Sequence, residues 1–389
     1  MKLSKFVQRA GTETAFVMLA KAKELERQGK SVVHFEIGEP DFNTPENIKN
    51  EGIRAIEKNF THYSPTLGVL ELRESIAKYI SNTRNIDVKS DEVIVTPGGK
   101  EVIFGTMLSL LDEGDEAVYP NPGYPIYESA IYLAGAKPVA MPLLEENHFA
   151  FDKEQFVKLI TPKTRLIVIN SPGNPTGGIL SREDLEFIAN IAKKNDIYIL
   201  SDEIYSRIIY DGTFESIASI PGMKERTVIL DGFSKTYAMT GWRLGYAVAN
   251  KEIVDALSKI AVNSFSCVAT FVQKAGIEGL NGPQGDVEIM RKEYEVRRNL
   301  IIDGLNNIPG ISVKMPKGAF YVFANIKKTG KTAKEIADYL LYDAGVCTLA
   351  GTAFGSYGEG YIRFSYATSQ ENIKEGLRRV KDAFEKIMK

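Results

Sequence analysis

Cysteine is almost missing from this chain: Cys267 and Cys347 are the only two in 389 residues, and they stand far apart. A disulfide framework and a cysteine-ligated zinc site are thereby excluded. Histidine is nearly as scarce, and His34, His62 and His148 show no metal-ligand spacing, so no metal is expected. No uninterrupted apolar run approaches the ~18 residues that a bilayer span requires. The opening Met-Lys-Leu-Ser-Lys-Phe-Val-Gln-Arg-Ala lacks the long apolar stretch of a secretory leader. Charge of one sign is missing too. Lys and Arg number 48 against 50 Asp and Glu, and the net charge of −2 gives no electrostatic case for nucleic acid or an anionic membrane. Basic clusters such as Lys292–Arg298 are interleaved with acids and read as a solvated helix face. Repeats and low-complexity tracts are absent. A soluble, cytoplasmic protein is expected.

What is present is apolar sequence in short, regular instalments. At 44% hydrophobic, 389 residues can bury a large core and suggest two domains. Residues 15–28 have helical periodicity and stop at Gly29, a C-terminal cap. From about residue 45, helical patterns alternate with strand-like runs: Glu92–Thr96, Glu116–Tyr119, Pro138–Met141, Arg165–Asn170, Ile197–Ser201, Thr227–Leu230 and Leu244–Ala249. Most are continuously apolar, as expected of strands covered on both faces, so the fold class is α/β with a mainly parallel sheet between helices. A charged amphipathic stretch, Asp286–Asn306, bridges to a smaller α+β domain. Its strands are Phe320–Asn325, Val346–Leu349 and Tyr361–Ser365, with helices Ala333–Asp343 and Gln370–Lys386. The expected division is 1–45 (joining the small domain), 46–285 (large domain) and 286–389 (small domain).

Polar residues gather where these strands end, the place where open parallel sheets bind ligands. Lys235 lies in Asp-Gly-Phe-Ser-Lys-Thr-Tyr-Ala-Met-Thr-Gly-Trp-Arg-Leu-Gly (231–245), just after an apolar strand. Its amine has the chemistry to form an imine with a carbonyl. Ser234 and Arg243 flank it, and the planar fork of arginine matches phosphate oxygens. Gly98-Gly99-Lys100 ends one strand and opens a helix whose free N–H groups suit an anion; alone, it reads equally well as a turn. Asn174, between Pro172 and Pro175, has a fixed backbone and an amide to offer, or belongs to a rigid surface turn. Asp202 and Tyr205 close another strand; they could meet a pyridine nitrogen and a ring hydroxyl, or simply cap and pack. An imine-forming lysine, phosphate ligands and a carboxylate together point to pyridoxal 5'-phosphate. Gly330-Lys331-Thr332 imitates the end of a P-loop, but the required first glycine would be Asn325, so no nucleotide site follows.

In this order, the segments resemble the class I aminotransferases, pyridoxal phosphate enzymes of fold type I, and most of all the aspartate aminotransferase branch. The resemblance runs from Ile37-Gly38-Glu39-Pro40-Asp41-Phe42 to Tyr361-Ile362-Arg363-Phe364-Ser365-Tyr366-Ala367. Between them come Tyr63, Gly98-Gly99-Lys100, Tyr124, Asn174-Pro175, Asp202–Tyr205, Ser234-Lys235 and Trp242–Tyr246. It implies that Lys235 binds the cofactor and then serves as general base at the substrate α-carbon. Asp202 would pair with the pyridinium nitrogen, Tyr205 and Asn174 with the ring hydroxyl, and Tyr124 would stack on the ring. Gly99, the main chain of Lys100, Ser234 and Arg243 would hold the phosphate. Tyr63 would reach it from a neighbouring subunit, making the active unit a homodimer. Arg363, assisted by Gly38 and Asn174, would grip the substrate α-carboxylate. The resemblance also implies a cis peptide at Asn174–Pro175.

Two departures bear on substrate. Some dicarboxylate-specific relatives take the distal carboxylate with an arginine from the partner subunit, but Leu244–Met290 contains no arginine. Others use a lysine at the position of Lys100, whose ammonium suits an acidic side chain. The expected reaction is transfer of an α-amino group from an aspartate-type or broader range of amino acids to a 2-oxo acid such as 2-oxoglutarate. The alternatives are a carbon–sulfur β-lyase on the same scaffold and a cofactor-binding regulator without turnover.

Overall fold

The computed structural model describes Gly11 and residues 13–389. The expected N-terminal segment 1–45 therefore lies partly outside the described residues. Strands are numbered in chain order. After β1 (Val33–His34) come β2 (Val93–Thr96), β3 (Glu116–Asn121), β4 (Lys137–Pro142), β5 (Thr164–Asn170), β6 (Tyr198–Asp202), β7 (Thr227–Gly232) and β8 (Gly245–Val248). The last seven form one sheet in the order β2-β8-β7-β6-β5-β3-β4. Only β8 runs against its neighbours, so the sheet is mainly parallel, as expected.

The continuous apolar runs follow from burial on both faces. On β5, Leu166 and Val168 join one core cluster while Ile167 and Ile169 join another on the opposite side. Helices Gly99–Leu110 and Lys251–Ser264 supply the first cluster, and Arg182–Asn195 the second. The last of these starts at a reciprocal cap, Ser181 accepting from the Asp184 amide while Asp184 accepts from that of Ser181.

Beyond the long helix Gly285–Asn306, strands β9 (Tyr321–Asn325), β10 (Val346–Cys347), β11 (Leu349–Ala350) and β12 (Tyr361–Ser365) follow. The expected single strand Val346–Leu349 is in fact two. Val346–Cys347 pairs parallel with β1, whereas Leu349–Ala350 pairs antiparallel with β12, which also pairs with β9. The break at Thr348 lets one apolar stretch serve two sheets, something composition cannot signal. Helix Thr14–Arg27 packs Ala15, Met18, Ala22 and Leu25 against Phe323, Leu341 and Leu349. Gly29, at φ +85°, follows it as the cap. Thr332 caps helix Ala333–Tyr342 by exchanging hydrogen bonds with Glu335, which explains the false P-loop signal. Among the described residues, no helix is long and apolar enough to cross a membrane, and no side-chain group is arranged to hold a metal ion.

Candidate active site

Strands β2, β3, β5, β6 and β7 all deliver their carboxyl ends to one edge of the sheet. A cavity of about 520 Å³ opens there, roofed by β9, β12 and the start of helix Thr14–Arg27. Its lining includes Gly38, Gly99, Lys100, Tyr124, Asn174, Asp202, Tyr205, Ser234, Lys235, Arg243 and Arg363. Residues spread over 325 positions of sequence thus meet around one space.

Lys235 sits just past β7, and its Nζ donates to the Gly38 carbonyl at 2.6 Å. Burial lowers its pKa to about 8, with Arg363 and Arg243 pushing the same way against Glu39 and Glu13. Near neutral pH the uncharged amine is therefore far more populated than in an ordinary lysine. The aromatic residues of its own segment face elsewhere. Phe233 and Tyr237 belong to the core, and Trp242 donates its Nε1 to Thr44 Oγ1 at 3.0 Å.

Asp202 ends β6, fully enclosed. Tyr127 donates to its Oδ2 at 2.5 Å and the Ile204 amide to its Oδ1 at 3.2 Å. Burial lifts its pKa to about 6. Among the described residues it forms no ion pair with a basic side chain, so a buried carboxylate faces the cavity without a cation. Tyr205 shares a 2.6 Å hydrogen bond with Tyr321, both hydroxyls being buried. Asn174 follows a cis bond-rich turn in which Ser171–Pro172 and Asn174–Pro175 are both cis, and its amide donates to Asn170 Oδ1 at 2.8 Å. Tyr124 meets Tyr127 edge to face, at 5.7 Å between ring centroids.

At the other end, Gly98 (φ +93°) precedes helix Gly99–Leu110, whose first N–H groups have no intrahelical acceptors. A Cβ on Gly98 would run into the Arg243 guanidinium, and one on Gly245 would come within 2.8 Å of the Gly98 backbone. The glycines therefore let β8 and Arg243 approach the turn closely. Arg243 is itself left-handed (φ 55°) and donates to the Thr240 carbonyl at 2.8 Å and the Pro97 carbonyl at 3.2 Å. Ser234 lies beside them, buried.

Arg363, from the middle of β12, is 3% exposed. Its Nη1 donates to Asn174 Oδ1 at 3.2 Å and its Nη2 to the Glu36 carbonyl. The guanidinium lies between the Tyr321 and Phe354 rings, 4.6 and 4.9 Å from their centroids. Its Nε is buried with no partner. Burial lowers its pKa, though arginine stays charged.

Tyr63 is the one expected site residue that this chain does not bring to the cavity; it stands 92% exposed. The resemblance assigns Tyr63 to a neighbouring subunit's site, so its absence from this chain's own cavity is the expected placement. Conversely, Tyr127, Asn170, Tyr321 and Phe354 line the cavity without having been expected. In sequence they are indistinguishable from core aromatics and a strand-end amide, and no spacing rule singles them out.

The profile of the family described as Aminotransferase class I and II matches residues 30–380. The chain belongs to that family. It is 44% identical to the aspartate aminotransferase of Pyrococcus horikoshii, an alignment spanning 94% of this chain and 95% of that one. It is 43% identical to aromatic-amino-acid aminotransferase 2 of Thermococcus litoralis, over 92% of each. The solved structure of Thermus thermophilus aspartate aminotransferase with maleate superposes at a TM-score of 0.95, with 37% identity, covering 98% of this chain and 100% of that one. The chain is therefore a transaminase acting on amino acids, of the α/β fold of that family, which is dependent on pyridoxal phosphate.

Proposed function

We propose that this aminotransferase binds pyridoxal 5'-phosphate at Lys235 and passes the α-amino group of a broad range of amino acids, acidic ones included, to a 2-oxo acid such as 2-oxoglutarate. Two features of the cavity suit the cofactor, and a third suits its amino-acid substrate. Asp202 is a buried carboxylate lacking a cation, which a protonated ring nitrogen supplies. The Gly98–Gly99 turn, Lys100 amide, Ser234 and Arg243 form a cradle for a phosphate. The partnerless Arg363 Nε is a donor in wait for a carboxylate.

Bound pyridoxal phosphate supplies an electron sink that stabilises negative charge at the carbon losing its proton. The protein's own groups do the rest. Asp202 would keep the ring nitrogen protonated, Tyr205 and Asn174 would hold the ring hydroxyl, and Tyr124 would cover the ring. Arg363, with Asn174 and Gly38, fixes the substrate α-carboxylate. Lys235 has an amine of near-neutral pKa in the cavity lining and would carry the proton from the substrate α-carbon. The Lys100 side chain, at the cavity rim, accepts a distal carboxylate. Tyr63, exposed and outside its own cavity, suits a role in a partner's site, so we propose a homodimer. The seven-stranded sheet lies within 46–285 and β9, β11 and β12 within 286–389, which supports the domain division given above.

The observation that carries this reading is the convergence of Lys235, Asp202 and Arg363 on one cavity. The test is a half-reaction screen: each amino acid is mixed with cofactor-loaded protein while the cofactor absorbance is followed. The expected result is bleaching without ammonia release, reversed by 2-oxoglutarate. Release of ammonia and pyruvate without any oxo acid would replace transfer by β-elimination.

A further inference from the structure

The cavity contains an acid that the reaction does not use. Glu13 occupies the N-cap position of helix Thr14–Arg27, yet its side chain caps nothing there. An acidic N-cap ordinarily accepts from the first amides of its own helix. Here the carboxylate turns instead into the cavity. It forms an ion pair with Lys100 and accepts from the Tyr124 hydroxyl at 3.4 Å. The pair is half sheltered, with the Glu13 and Lys100 side chains 23% and 39% exposed, and the Lys100 ammonium also lies 5.8 Å from the Phe16 ring centroid. Glu13 lines the same cavity as Lys235 and Arg363.

Lys100 is the rim cation assigned above to a distal carboxylate. We infer that Glu13 is a specificity-determining residue, its carboxylate occupying on Lys100 the place of a dicarboxylic substrate's distal acid. With the pair made, the charges of Lys100 and Glu13 offset each other, and the cavity lining also offers Phe16, Ile37, Ile103 and Leu349. That surface accepts amino acids with aromatic or aliphatic side chains. A dicarboxylic amino acid or oxo acid binds by displacing Glu13 from Lys100. Otherwise two carboxylates would share one ammonium, which like-charge repulsion opposes. One rim thus serves both substrate classes, and Glu13 handicaps the acidic one.

The inference rests on the assignment of Lys100 under Proposed function, and its test separates the two. Cofactor-loaded wild type, Glu13→Gln, Lys100→Ala and the double variant are titrated with two unreactive ligands, maleate and 3-phenylpropionate, and Kd is read from the cofactor absorbance. Glu13→Gln is expected to tighten maleate roughly tenfold relative to 3-phenylpropionate, and the double variant to lose that gain. A merely structural Glu13 would move both ligands alike, and an unchanged ratio of the two Kd values would overturn the inference. If Lys100→Ala weakens maleate while Glu13→Gln leaves the ratio alone, the inference fails and the Lys100 assignment stands. If Lys100→Ala leaves maleate binding unchanged, both fail.

Discussion

Asp202 has a cost that the cofactor-free protein must carry alone, and replacing it by Asn exposes that cost. Burial raises its pKa from 3.8 to about 6. The folded state therefore holds this proton more tightly than the unfolded chain does. Its contribution to stability is complete below about pH 4 and is lost as pH rises through 6. A pKa raised by about two corresponds to about 3 kcal/mol at pH 8, and to about half of that at pH 5. An uncharged Asn pays no such penalty and still offers an acceptor to the Ile204 amide and a partner to the Tyr127 hydroxyl. Cofactor-free Asp202→Asn should thus be more stable than wild type by about 2–3 kcal/mol at pH 8, with the gap narrowing by about half at pH 5. Urea unfolding read by Trp242, the single tryptophan, measures both. Loaded with cofactor, the ranking should reverse, because only the wild type supplies an anion to the ring nitrogen. A variant no more stable than wild type at pH 8, or a gap independent of pH, refutes the reasoning.

Two further substitutions probe the frame around the site. Arg84 is buried, donating to Glu203 at 2.9 Å, Asp231 at 2.8 Å and Ser206 at 2.9 Å, so it ties together the ends of β6 and β7 beside Asp202 and the Lys235 loop. Arg84→Met strands two buried carboxylates and should cost about 3–5 kcal/mol in urea unfolding, whereas adding Glu203→Gln and Asp231→Asn should recover most of it. Gly38→Ala puts a methyl group onto the Tyr321 hydroxyl, which holds Tyr205; kcat/KM should fall roughly 10- to 100-fold. Pairing it with Tyr321→Phe removes the overlapping oxygen and should restore part of the loss, a recovery that steady-state kinetics would show.

The parallel sheet was legible because a strand covered on both sides must be apolar throughout, as Leu166–Ile169 are. Strand ends were less so. Asp202 and Gly232 extend β6 and β7 beyond their apolar parts, since backbone pairing continues where hydrophobicity stops. The division of Val346–Ala350 between two sheets depends on tertiary partners that no local pattern encodes. At the site, Lys235 and Asp202 stood out because their chemistry is out of place beside apolar strands, whereas Arg363 was legible only through the resemblance of its segment to the family. Tyr127 and Tyr321 did not, since a tyrosine within an apolar run reads as core, and each is indeed buried. Glu13 was invisible for another reason: in sequence it is one more acid before a helix, and only the fold turns it toward Lys100.

The claim on which the mechanism depends is that the amine of Lys235 carries the cofactor. Treating cofactor-loaded protein with borohydride fixes that bond, and mass spectrometry of the digest locates it. The account predicts a single pyridoxyl-modified peptide, with the label on Lys235. A label on another lysine, or none at all in protein that retains the cofactor's absorbance, would contradict it.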